Sequence, residues 1–176
     1  MKNPPDNEPA RFDPSQFELE NFLPYRLSLL TNTISQGMAQ SYRNRHDISI
    51  TEWRVLAVLG RFPGLSASEV VERTAMDKVA ISRAVRSLEE KVLLERRIDP
   101  EDRRRQSLFI TGGAGQVVLR EVIPLARRYE AELLGTLDGK ELDQLLKLMT
   151  RLQAAAMEVN ARESRTVPEK DKKSRE

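Results

Sequence analysis

Along most of the chain apolar residues recur every three or four positions, and in two short stretches they alternate, so the pattern predicts a mainly helical protein with one small hairpin. Leu23, Leu27, Leu30, Ile34 and Met38 form the first stripe, on a long helix expected to run to about Arg45. Ahead of it, Ser15-Gln16-Phe17-Glu18 has the form of a capping box and Pro24 follows soon after, which predicts a short first helix and a break or kink before the long one. Thr51, with Glu52 behind it, predicts a cap for "TEWRVLAVLGRF", and "FPG" at 62–64 ends that helix. Ser66-Ala67-Ser68-Glu69 is a second capping box and opens "ASEVVERTA". Asp77 can cap the next helix, whose Ile81, Val85, Leu88 and Val92 share one face. "LLERRI" and "QSLFIT" then read as two strands joined by "DPEDRRR". Beyond Gly112, Gly113 and Gly115, two further amphipathic helices are predicted. The first covers roughly 116–135, with Val118, Val122, Leu125, Tyr129 and Leu133, and the second about 138–160, with Leu142, Leu145, Leu146, Met149 and Leu152.

Two helices separated by a turn of about three residues are a helix-turn-helix pattern, and a basic hairpin directly after it makes a winged helix. Opposite its apolar stripe the second helix carries Lys78, Ser82, Arg83 and Arg86, with Val79 and Ala80 in the first turn. Hydrogen-bond donors and small apolar groups near a helix N-terminus suit the major groove of double-stranded DNA. Lys78 is expected on a phosphate. Arg103, Arg104 and Arg105 fall at the hairpin tip, where they can reach phosphates or a narrow minor groove. One small winged helix cannot cover three long apolar helices, so a homodimer is expected, reading a pseudo-palindromic operator with half-sites roughly 34 Å or a multiple apart. The chain divides accordingly into a disordered arm (1–14), N-terminal dimerisation helices (15–48), a winged helix (49–111), C-terminal dimerisation helices (112–160) and a disordered charged tail (161–176).

Composition narrows the chemistry. With 176 residues, 32% of them charged, the chain can bury a core without staples, and the absence of cysteine excludes disulfides, thiolate metal sites and thiol redox sensing. A net charge of +2 says little, but the basic residues cluster between Lys78 and Arg105. No run of 18 apolar residues and no signal-like N-terminus occur, so no membrane association and a cytoplasmic location are expected. His46 is the single histidine and has no nucleophile in a recognisable arrangement, and one histidine cannot complete a usual metal site. Asp99, Glu101 and Asp102 beside arginines and Pro100 favour a turn with local ion pairs over acid/base chemistry. Phosphate-cradling, metalloprotease and nucleophile-elbow motifs are missing, so neither an enzyme nor a cofactor is expected.

The order long helix, helix, helix-turn-helix, wing, two long helices resembles the MarR family of transcription regulators over about residues 20–158. "DRRRQSLFIT" looks like the family's Asp-x-Arg followed by a strand ending in Leu-Thr, and "SRAVRSLEEKVLLERR" is similar to its recognition helix and first wing strand. The resemblance implies that Arg104 is the minor-groove arginine and that Asp102 orients a wing arginine. Two departures stand out: Ala114 occupies the usual glycine position with Gly115 next, and three arginines run together in the wing. It further implies a repressor released by a small phenolic or carboxylate ligand bound between the dimerisation helices and the winged helix. Trp53 begins the helix where that pocket lies in the family, and with Tyr25, Arg26, Ser28, Asn32 and His46 it makes the candidate effector set. The reading from a different class is a winged-helix protein-interaction or architectural module with little preference among DNA sequences.

Overall fold

The computed structural model describes residues 17–98 and 106–166. Its elements are a 3-10 turn (Leu19–Asn21), α1 (Leu23–Gln40), α2 (Arg43–His46), α3 (Ile50–Arg61), α4 (Ala67–Thr74), α5 (Lys78–Glu90), β1 (Leu94–Ile98), β2 (Gln106–Ile110), α6 (Ala114–Leu134) and α7 (Gly139–Thr166). Mainly helical structure with a two-stranded antiparallel hairpin is the predicted class. Two compact units divide between Ala126 and Arg127, within α6.

Several boundaries differ from the sequence expectation, each for a local reason. Pro24 lies in the first turn of α1, where its missing N–H costs nothing, so it starts the helix instead of kinking it. That helix ends at Gln40 and not near Arg45: the Ser41 hydroxyl donates to the Met38 carbonyl at 2.7 Å, and Tyr42 leaves helical geometry before α2 resumes for one turn. The cap of α3 is Ser49, not Thr51. Its side chain accepts from the Glu52 N–H at 3.2 Å and the Glu52 carboxylate accepts from the Ser49 N–H at 2.6 Å, a complete capping box. Helix α5 ends at Glu90, so Val92 is off the buried stripe, 65% exposed, with φ at 58°. Asp138 and Glu141 form a box at the start of α7, which continues past the expected end near 160 to Thr166. Ser15 of the first expected capping box lies outside the described residues, as do the 1–14 arm and residues 167–176.

The core of the first unit gathers Val55, Leu56 and Leu59 of α3, Val70 of α4, Ile81, Val85 and Leu88 of α5, Leu94 and Leu108 of the hairpin, and Val118 and Val122 of α6. Tyr42 and Ile48 close it beside Trp53, with Tyr42 and Trp53 ring centres 5.9 Å apart. The hairpin root is part of this body. Gly64 donates to the Leu108 carbonyl and Leu108 to the Leu65 carbonyl at 3.0 and 2.8 Å, so β2 is flanked on both sides. Gly64 has φ at +82°, and a Cβ there would come 3.2 Å from the Phe109 ring, which explains the glycine in "FPG".

The stripe expected to be buried along α1 is only partly so. Ile34 and Met38 are half-buried, whereas Leu23, Leu27 and Leu30 are exposed. In α7, Leu145, Leu146, Met149 and Leu152 are likewise exposed and Leu142 is half-buried.

Candidate nucleic-acid interface

The geometry of α5 follows from its cap. Asp77 Oδ1 accepts from the N–H groups of Val79 and Ala80 at 2.9 and 3.0 Å, and Ala75, in the left-handed region at φ 51°, turns the chain from α4 into it. Ile81, Ala84, Val85 and Leu88 are buried, so Lys78, Val79, Ser82, Arg83 and Arg86 are all turned to solvent. Steps of three and four residues place these five on one continuous face. A groove between α4 and α5 runs along its edge, lined by Ser68, Val71, Glu72, Lys78 and Ser82 among others.

The basic side chains of this region are not equivalent. Among the described residues Lys78 and Arg83 have no hydrogen-bond or ion-pair partner. Arg86 is held along its own helix by Glu90, Nε to Oε1 at 2.9 Å. Arg96 grips Glu89 and Gln106, and Arg97 lies 4.2 Å from the Phe109 ring centre while pairing with Glu95. Asp102, Arg103, Arg104 and Arg105 lie outside the described residues; β1 and β2 are the strands on either side of them in the chain.

Behind the exposed face of α5 sits a carboxylate that local sequence reasoning passed over. Glu52 is 5% exposed. Its Oε1 accepts from the Ser87 hydroxyl at 2.7 Å and from the Lys91 ammonium at 3.0 Å, both on the far side of α5. Burial pushes this carboxyl up, but the bonds from the Ser49 N–H, Ser87 and Lys91 outweigh it and hold it below the usual glutamate range. Lys91 also bonds the Asp47 carbonyl and lies 3.6 Å from Asp47 Oδ2, so the end of α5 is tied to the turn before α3. The available signal was Glu52 falling in line with Val55, Leu56 and Leu59 on the apolar face of α3. Arg54 makes a second tie, donating to Ser35 Oγ of α1 at 2.9 Å and lying 3.7 Å from Met76 Sδ in the turn.

The candidate effector residues fall into two groups that no hydrogen bond, ion pair or ring contact joins. Tyr25, Arg26, Ser28 and Asn32 are exposed along α1. His46 ends α2 with its side chain 9% exposed and Nε2 3.2 Å from Glu121 Oε2 of α6, and Trp53 is buried in the core. Burial pushes the Tyr42 hydroxyl up in pKa, countered by Arg43 and Arg54. Among the described residues no cluster of three or more His, Asp or Glu could hold a metal ion, and no helix is long and apolar enough to cross a membrane.

In chain order, a long helix, a tight two-helix turn with its hairpin and two more long helices can be compared with proteins of known structure. The sequence model of the MarR family matches residues 46–105. The chain belongs to the MarR family. A MarR/EmrR-family regulator from Acinetobacter sp. ADP1 has a similar crystal structure: 28% identity, TM-score 0.71, covering 77% of this chain and 94% of that one. The transcriptional regulator HosA of Escherichia coli O111:H- is 24% identical over 126 residues, 72% of this chain and 93% of HosA. The regulator PcaV of Streptomyces coelicolor, solved in complex with its natural ligand, is 25% identical with a TM-score of 0.67, covering 79% of this chain and 96% of PcaV. This MarR-family protein is accordingly a DNA-binding transcriptional regulator of winged-helix fold, and its relatives are regulators and not enzymes.

Proposed function

We propose that this regulator acts as a homodimer that binds a specific pseudo-palindromic operator, represses from it, and is released by a small aromatic or carboxylate ligand. The observation that carries the DNA half of the reading is the exposed face of α5, where Lys78 and Arg83 have no ion-pair partner among the described residues and stand beside Val79 and Ser82. In this reading Arg83 and Arg86 are assigned to base edges, Lys78 to a phosphate, and Val79 and Ser82 to the groove wall. The wing arginines, Arg104 first, with Arg103 and Arg105 beside it, follow the minor groove, and Asp102 orients them. Dimerisation is supported by the exposed leucines of α1 and, separately, of α7, since a lone chain rarely leaves such stripes in water.

Ligand control is supported by PcaV, whose structure holds its natural ligand. In this chain the exposed Tyr25, Arg26, Ser28 and Asn32 are the contacts assigned to the effector. Half-buried His46 and buried Trp53 complete the candidate set from α2 and α3. The ligand releases DNA if it favours a spacing of the two recognition helices that does not match the operator.

The test is a titration of the purified protein against its own upstream intergenic DNA, with random duplex as competitor at near-physiological salt. Binding that survives the competitor is the expected result. Binding that random duplex abolishes, there and on further promoters, leaves the architectural reading in its place, because counterion release alone would then account for the affinity.

A further inference from the structure

Past buried Leu94 of β1 and Leu108 of β2, the described part of the hairpin has little to rest on. Arg97 and Ile98 are exposed, and the last rung before the loop pairs Ile98 with Gln106. A two-stranded ribbon by itself is marginally stable and free to twist. Among the described residues, one side chain of this ribbon reaches the last turn of α5. Arg96 Nε and Nη2 donate to the two carboxylate oxygens of Glu89, in the last turn of α5, at 2.9 and 3.2 Å. Its Nη1 donates to Gln106 Oε1 on the opposite strand at 2.7 Å. A planar fork engaged on both oxygens of one carboxylate and on an amide fixes orientation as well as distance.

We infer that Arg96 is a positioning residue of the wing and not a contact to DNA. With Glu89 and Gln106 it clamps the outer half of the hairpin at a set angle to the recognition helix, so that the loop between the strands meets the minor groove while α5 lies in the major groove. Its charge is already matched by Glu89, and the fork of Nε and Nη2 is occupied by that carboxylate. The clamp rests on the DNA-binding reading above for its purpose, but its mechanical part can be read without DNA.

The test exploits the sign of one substitution. Glu89→Gln removes a negative charge close to the DNA-binding face, so electrostatics alone makes DNA binding tighter. The clamp demands the reverse, a weakening of operator binding by about ten-fold, the value of one charge-assisted bond. Because the chain has no cysteine, an Ile98→Cys variant carries a single nitroxide label on the outer rung. Its spectrum should show a more mobile label in Glu89→Gln and in Arg96→Lys, which keeps the charge and discards the fork. Exchange of the pair, Glu89→Arg with Arg96→Glu, should restore both binding and immobilisation, since the Gln106 amide can donate as well as accept. Unchanged label mobility, or operator binding by Glu89→Gln as tight as before or tighter, overturns the clamp. Failure of the unmodified protein to bind any operator counts against the regulator reading, and the label still decides the clamp.

Discussion

The Thr111 hydroxyl donates to the carbonyl of Val92 at 2.9 Å, and so ties the chain leaving β2 to the turn just past the end of α5. Val92 occupies the left-handed position of a full Schellman motif: its N–H bonds the Glu89 carbonyl at 3.0 Å, and the Leu93 N–H reaches back to Leu88 at 2.9 Å. Glycine is the usual occupant, because a β-branched side chain in the left-handed region costs on the order of 1–2 kcal/mol. The Val92 side chain is mostly in solvent and returns little packing. Val92→Gly should therefore stabilise the fold by about 1 kcal/mol, a rise in melting temperature of roughly 2–4 °C. Calorimetry showing a lower melting temperature would sink this account.

The same hydroxyl accepts from the Gly115 N–H at 2.9 Å, and here the glycine is required by space. A Cβ on Gly115 would sit 2.4 Å from the Leu93 carbonyl oxygen and 2.6 Å from Ile110 Cγ2. Gly115→Ala should cost about 1–3 kcal/mol in chemical denaturation, as overpacking does. Gly113→Ala, where nothing lies within 4 Å, should leave the denaturation midpoint within error of the parent.

Glu52 gives the fold an acid-sensitive joint. Its carboxyl is held below the usual glutamate value, 4.5, so the folded state binds its proton less readily than the unfolded chain does. The stabilisation is present above that value and is lost as pH falls through the lower, folded-state one. Glu52→Gln should lower stability at pH 7 by about 1–3 kcal/mol, because Ser87 and Lys91 lose a buried anionic acceptor. Urea titrations across pH should show the gap between variant and parent closing below about pH 4.5. A gap that is constant with pH would mean the carboxylate is not the group involved.

Arg83 and Arg86 should respond differently on DNA. Arg83→Ala should weaken operator binding by about 1–3 kcal/mol if it reads a base, with a smaller loss on random duplex. For Arg86 the informative change is at Glu90, whose carboxylate holds it at 2.9 Å. Glu90→Gln releases the guanidinium and removes a negative charge, so DNA binding should tighten a few-fold at low salt, with the gain shrinking as salt rises. Weaker binding by that variant would show that the pair presents Arg86 and does not restrain it.

Periodicity and capping chemistry made the helices, the helix-turn-helix and both strands legible, because each is specified within a few neighbouring residues. The same reasoning carried α5 through Val92, since its usual stop signal is a glycine and "KVLL" has none. It placed the α3 cap at Thr51 because two hydroxyl residues, Ser49 and Thr51, precede Glu52, and only the box spacing separates them. What the sequence hid were pairings across the fold. Ser87 and Lys91 stand 35 and 39 residues from the carboxylate they share, and no local pattern announces that. Arg96 likewise looked like one more basic residue in a basic stretch, until the last turn of α5 brought Glu89 beneath it.

The backbone bridge between Leu65 and Leu108 makes the root of the hairpin a strand of the body, while Lys78, Val79, Ser82, Arg83 and Arg86 stand outside that body on the exposed face of α5. A lineage carrying this framework can thus alter the chemistry of that face without renegotiating the interior. Target choice and foldedness become separable traits, and a protein of this design can acquire a new address on the chromosome in a few substitutions while its scaffold is inherited intact.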